Sequence, residues 1–190
     1  VHLDKRHKVD MRDEAQAAGD ENRRVKLSEA FHGLLYNRCT NGQLLRIIND
    51  YGKYIADSFR GNAVNYSKAL LAFYQGNYNE VLKDMNQMDI LDLSYELNTR
   101  SLLILTYYEM DEIDALSSLL DSFYVYLNRH KDISIGRREL YLQMISFTRR
   151  LLNTLPSDKK AHEKMLAKLE ETKGIASGAW LKEKILERLN

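Results

Sequence analysis

A single proline, Pro156, interrupts 190 residues, and only nine glycines accompany it. Both residues end helices, proline by lacking an N–H and glycine by its backbone entropy. Long runs rich in Leu, Lys, Glu and Arg therefore have little to stop them, and an all-α protein is expected. A β protein would need β-branched residues alternating between turn signals, and no such run occurs. Apolar residues make up 44% of the chain and charged ones 29%, enough to close a core. Residues 1–190 are read as one helical domain.

No apolar run reaches the roughly 20 residues that a membrane span needs. No basic-then-apolar leader opens the chain. Cys39 is the one cysteine and can form no internal disulfide, so a reducing, cytoplasmic setting is expected. The chain opens with Val1 and not methionine, so a fragment of a longer protein or a processed product is expected. Net charge is uneven: +3 over residues 1–71, −8 over 72–128 and +6 over 129–190. The acidic middle disfavours nucleic acid and favours a basic partner. The basic tail alternates its charges with Glu, the pattern of a solvated helix face.

Turn signals recur at nearly constant spacing. Asn41-Gly42 lies 34 residues before Gly76, and Asp111 lies 35 after it. A second amphipathic segment follows each: Leu44 to Phe59, Tyr78 to Met88, and Ile113 to Leu127. One copy reads Tyr107-Tyr108-Glu109-Met110-Asp111-Glu112-Ile113-Asp114-Ala115-Leu116, and the copy before it Ala72-Phe73-Tyr74-Gln75-Gly76-Asn77-Tyr78-Asn79-Glu80-Val81. The earliest, Arg38 to Ile47, keeps only Gly42, Leu44 and Ile47. Across about residues 28–127 the chain thus resembles a degenerate tetratricopeptide (TPR) array, whose period is one helix pair per about 34 residues.

That resemblance implies a right-handed array of antiparallel helical hairpins, a TPR-like α-solenoid. Residues 1–27 would extend it and residues 128–190 would add capping helices. The small residue of the first helix is Ala69 in one copy but Leu35 and Ile104 in the others. Ile47, Val81 and Leu116 replace alanines of the second helix, which should widen the helix spacing. The run LLILTYYEMDEIDALSSLLDSFYVYLNRHKDIS, followed by RRELYLQMISFTRRLL, also resembles the C-terminal helical region of uncharacterised Bacteroidota proteins. It implies the same helical character and nothing catalytic.

The flanks read as helices as well. Residues 4–18 and 21–38 are divided at Gly19-Asp20. Ser134 is placed to cap a helix running to Leu152, with Leu140, Met144, Ile145, Phe147 and Leu151 as its stripe. Pro156-Ser157-Asp158 stops that helix and starts one over 158–173. Gly174 and Gly178 bracket a break before a last helix, Ala179 to Leu189. Its Trp180, Leu181, Ile185 and Leu189 are expected to cap the open end of the array.

Candidate chemistry is sparse. Glu29 and His32 have Glu-x-x-His spacing, but a di-iron bundle needs two such motifs and two further glutamates. Cys39, at a helix end, gains no activation of its thiol. Asp111, Glu112 and Asp114 lack the spacing of a calcium loop and suit a helix start. Asn65-Tyr66-Ser67 meets the glycosylation rule by chance within a helix. The pairs Arg23-Arg24, Arg137-Arg138, Arg149-Arg150 and Lys159-Lys160 straddle helix faces, since neighbours point about 100° apart. No catalytic residue, metal site or cofactor is expected.

Twelve tyrosines fall between Tyr36 and Tyr141. Tyr78, Tyr107 and Tyr124 are expected in the core. The TPR resemblance implies a concave groove lined by the first helix of each pair. Its positions fall on Tyr66, Leu70, Phe73 and Tyr74, and on Asn98, Ser101, Leu105, Tyr108 and Glu109. Tyrosine offers a large rigid contact with a polar tip, which suits recognition; the alternative is that bulky helix-packing residues close this groove. The expected function is a non-catalytic protein-interaction or scaffold module that binds a peptide or helix carrying Lys or Arg. The alternatives are a structural region packed on an upstream domain and, less favoured, a nucleic-acid binder.

Overall fold

The computed structural model describes residues 57–88 and 93–190, and all the regular structure among them is α-helical. Seven helices occur in these residues: α1 (Asp57–Tyr74), α2 (Tyr78–Asn86), α3 (Leu93–Glu109), α4 (Ile113–Arg129), α5 (Ile135–Asn153), α6 (Lys159–Glu171) and α7 (Gly178–Leu189). The all-α expectation holds there. The chain divides into two compact units, Val1–Tyr95 and Glu96–Asn190. The earliest turn at Gly42, the helices over 4–18 and 21–38, and Glu29, His32 and Cys39 lie outside the described residues.

In the first unit, α1 and α2 form an antiparallel hairpin. Its seam buries Ala69, Ala72 and Phe73 of α1 and Val81 and Met85 of α2. At the far end of the hairpin, Asn65 donates from Nδ2 to the Gln87 carbonyl at 3.5 Å. The turn between the helices is a Schellman motif. Gly76 N–H reaches the Phe73 carbonyl at 3.0 Å and Asn77 N–H the Ala72 carbonyl at 2.9 Å. Gly76 has φ +73°, the left-handed conformation that glycine takes without a Cβ penalty.

The second unit repeats that turn 35 residues on. Asp111 N–H reaches the Tyr108 carbonyl at 3.2 Å, and Glu112 N–H the Tyr107 carbonyl at 2.9 Å. Asp111 itself has φ +58°. Asn77 and Glu112, which open the second helices, share φ/ψ values of −87°/61° and −84°/69°. Neither forms a side-chain cap, so the acidic residues at the start of α4 act through the helix dipole and not as caps.

Within this unit α3 and α4 run antiparallel, with the Arg100 guanidinium over the rings of Phe123 and Tyr126. α5 runs in the same direction as α3. Asn98 meets Tyr141, and three residues further along each helix Ser101 meets Met144. Leu116, Leu120, Phe123 and Leu127 form the buried stripe of α4, and Met144, Ile145, Phe147 and Leu151 that of α5. Complete burial of such side chains stabilises by about 1.5–3 kcal/mol each.

N-terminal caps begin α5 and α6. Ser134 Oγ accepts from the Arg137 N–H at 3.4 Å, and Asp158 Oδ1 from the Ala161 N–H at 3.0 Å. The link before α5 is tied by Arg138, whose Nη2 donates to the carbonyls of His130 and Ile133. α6 and α7 pair, and α7 also packs on α5. Between them, the Ala176 N–H donates to the Leu140 carbonyl at 3.1 Å. A Cβ on Gly174 would lie 2.9 Å from Leu140 Cδ2, and Gly174 has φ +82°. Space and conformation together require glycine there.

The structure departs from several of these expectations. α2 ends at Asn86 and not Met88. The last three residues of the segment drawn from Leu44 to Phe59 lie in α1, which continues through Gly61, since a lone glycine costs a helix about 1 kcal/mol and does not force a break; the rest of that segment lies outside the described residues. Tyr78 and Tyr107 are half-buried. Tyr124 is 46% exposed, because it lies next to Phe123 and so faces about 100° away from the buried stripe. The Arg149 guanidinium covers its ring and pairs with Asp121.

Candidate functional site

The first-helix residues singled out as partner-facing fall into two sets, one in each unit. On α1, Tyr66, Leu70 and Tyr74 stand four residues apart and share one stripe. Tyr66 and Leu70 are half-buried, and Tyr74 is 55% exposed. The Tyr66 ring meets Tyr95 edge-on at 6.2 Å. Phe73 does not belong to this surface. It is buried in the hairpin seam, its ring 5.6 Å from Tyr74 and 5.7 Å from Tyr78. Phe73 lies one residue off the stripe and so turns inward, where its ring shields the tight turn.

On α3 the matching face is covered by the chain itself. Asn98 Oδ1 accepts from the Tyr141 hydroxyl at 2.9 Å. Ser101 Oγ donates to Met144 Sδ at 3.1 Å and shares a 3.2 Å hydrogen bond with Ser177 Oγ. Ser101 and Leu105 are buried. Along α3, then, the groove is closed: this face is an internal seam, occupied by α5 and α7. Burial holds the Tyr141 hydroxyl above its ordinary pKa, with Arg137 opposing, so it stays a neutral donor to Asn98.

The end of this seam concentrates charge. Tyr108 meets Trp180 edge-to-face, their rings 5.1 Å apart at 88°. Its hydroxyl accepts from Arg188 Nη2 at 3.3 Å. Glu109 Oε1 accepts from the Trp180 indole N–H at 2.7 Å and pairs with Lys184 Nζ at 3.0 Å. The Lys184 and Glu109 side chains are only 10% and 17% exposed. Lys184 also reaches Glu187 at 2.9 Å. Burial alone lowers the Lys184 pKa, but hydrogen bonds and charge from Glu187 and Glu109 outweigh it and hold the ammonium well above its ordinary range. The sequence marked Trp180 as a cap; the Lys184 and Arg188 that flank it in the stripe were not singled out. Their positions one and two four-residue steps after Trp180 were the available signal.

Among the described residues no group of three or more His, Cys, Asp or Glu side chains could hold a metal ion. Nor is any described helix long and apolar enough to cross a membrane. His162 is fully buried, its Nδ1 2.8 Å from the Asp158 carbonyl. Ser67, the hydroxyl residue of the glycosylation triplet, is buried within α1. One member of each described basic pair has a partner within the chain: Arg138 ties a loop, Arg149 meets Asp121, and Lys159 caps the Leu189 carbonyl; Arg23-Arg24 lies outside the described residues. Comparison of the chain with family models, with curated proteins and with solved structures finds no match.

Proposed function

We propose that the chain is a non-catalytic protein-interaction module, a TPR-like right-handed array of helical hairpins that binds a peptide or helix of a partner protein. The observation that carries this reading is the pair of Schellman turns 35 residues apart, with the same two hydrogen bonds and a left-handed residue at the same position in each, Gly76 and Asp111. Repeated hairpins of one period are the building unit of solenoids that present a face to partners. The common direction of α3 and α5 supports the same reading, since first helices of successive hairpins run alike in such an array.

The α1 stripe of Tyr66, Leu70 and Tyr74 is the surface we assign to the partner. Its tyrosines supply rigid amphipathic contacts, and residues 72–95 of the same unit hold Lys83 against Glu80, Asp84, Asp89 and Asp92, an acidic balance that favours a peptide bearing Lys or Arg. A panel of 15-residue peptides of basic, neutral and acidic composition, titrated into the full chain, tests this. The basic peptides should bind best, and Tyr74→Ala should weaken them about ten-fold with an unchanged circular dichroism spectrum. Equal affinity across the panel would overturn the proposal. So would binding to single-stranded nucleic acid that exceeds the peptides and falls steeply with salt.

A further inference from the structure

α7 carries two kinds of surface. Leu181 and Ile185 are fully buried, and the helix packs against α5 and α6. Trp180, Lys184 and Arg188 form a separate stripe at four-residue spacing. That stripe meets α3 at Tyr108 and Glu109, through one aromatic contact, two hydrogen bonds and one ion pair. A polar and aromatic contact of this composition is typical of reversible interfaces, whereas permanent cores are apolar. The charges are complementary: one carboxylate on α3 receives an indole N–H and an ammonium from α7.

We propose that Tyr108 and Glu109 form a docking site for an amphipathic helix carrying Trp, Lys and Arg four residues apart, occupied here by the chain's own α7 and open to competition from an incoming helix with that stripe. The proposal rests on reading the chain as an interaction module, and it names the partner for the first-helix face of the second unit. Glu109 is the selective element. Its carboxylate is nearly out of water, so a helix without a cation at the Lys184 position would leave it unpaired. Tyr108 reads the aromatic residue one turn earlier by an edge-to-face contact. An intramolecular occupant lowers the apparent affinity for an outside one by the fraction of time that the site stands open.

The test titrates a synthetic peptide of residues 176–190 into the full chain by calorimetry. In the Lys184→Glu chain the resident helix is repelled by Glu109 while the α3 face is unaltered. It should bind the peptide at least about ten-fold tighter than the wild-type chain. Adding Glu109→Lys to that variant re-pairs the resident helix with reversed charges and repels the peptide, so binding should disappear. Arg188→Glu, which loosens the same stripe at its half-buried end, should give a smaller gain of a few-fold. Equal binding by all the chains would overturn the proposal, as would a folded Lys184→Glu chain that takes up no peptide. So would loss of the whole helical signal in both Lys184→Glu and Arg188→Glu, which would make α7 part of the core. Success here with failure of the basic-peptide panel removes only the α1 reading, and the reverse removes only this one.

Discussion

Gly76 and Asp111 occupy the same point of two hairpins, 35 residues apart, and hold the chain in the same left-handed conformation. The residues just before them meet different fates. Tyr74, two before Gly76, is largely exposed, whereas Glu109, two before Asp111, accepts from Trp180 and pairs with Lys184. A hairpin repeat is thus defined by its backbone hydrogen bonds and its buried seam. What its first helix presents depends on which later segment folds over it.

The largest test of this equivalence lies in the seam. Phe123→Ala empties a fully buried site against Tyr141 and should cost about 3–5 kcal/mol in urea unfolding. Met88, 35 residues earlier and half-buried, should cost only about 1 kcal/mol when replaced by Ala. Equal losses would show the two hairpins to be packed alike.

Next comes the covered face against the exposed one. Lys184→Met strips Glu109 of its cation and should destabilise by about 1–3 kcal/mol, while Tyr74→Ala should stay within about 0.5 kcal/mol. The pH dependence has a definite sign. Because the folded state holds the Lys184 proton more tightly than the unfolded chain, the contribution is complete below the unfolded value of about 10.4. It is lost as pH rises through the folded value. Alkaline unfolding titrations should show that loss in the wild type and not in Lys184→Met.

The turns give a smaller, opposed pair of effects. Gly76→Ala forces a Cβ into a left-handed residue and should cost about 1 kcal/mol. Asp111→Gly relieves the same strain and should gain about 0.5–1 kcal/mol. Like signs would mean that the two turns are not equivalent. Asp84→Asn should have the least effect. Burial and then Glu80 raise the Asp84 pKa, so the ionised carboxylate disfavours the fold. The substitution should stabilise by under about 0.5 kcal/mol at neutral pH. That gain should vanish as pH falls below the unfolded carboxylate range.

Local features were readable in the residues, and distant ones were not. Gly76, Asp111, Ser134 and Asp158 are stop and start signals acting over three to five residues, and each sits where its chemistry places it. The stripes of α4 and α5 follow from helical periodicity. The cover over α3 does not, because Asn98, Ser101, Tyr108 and Glu109 meet partners 43 to 80 residues away. Periodicity names a helix face as apolar or polar but says nothing of which neighbour claims it. Tyr124 shows the same limit at shorter range: a large aromatic beside the buried Phe123 lies off the stripe and under Arg149.

Trp180 is the one tryptophan in all 190 residues, and it stands at the contact between α7 and α3 with 9% of its surface exposed. Its emission therefore reports on that contact without a label. A blue-shifted spectrum belongs to the docked helix, and a red shift that precedes loss of helicity marks its departure. Nature has placed the only indole of the chain where a spectrometer can watch a single helix come and go.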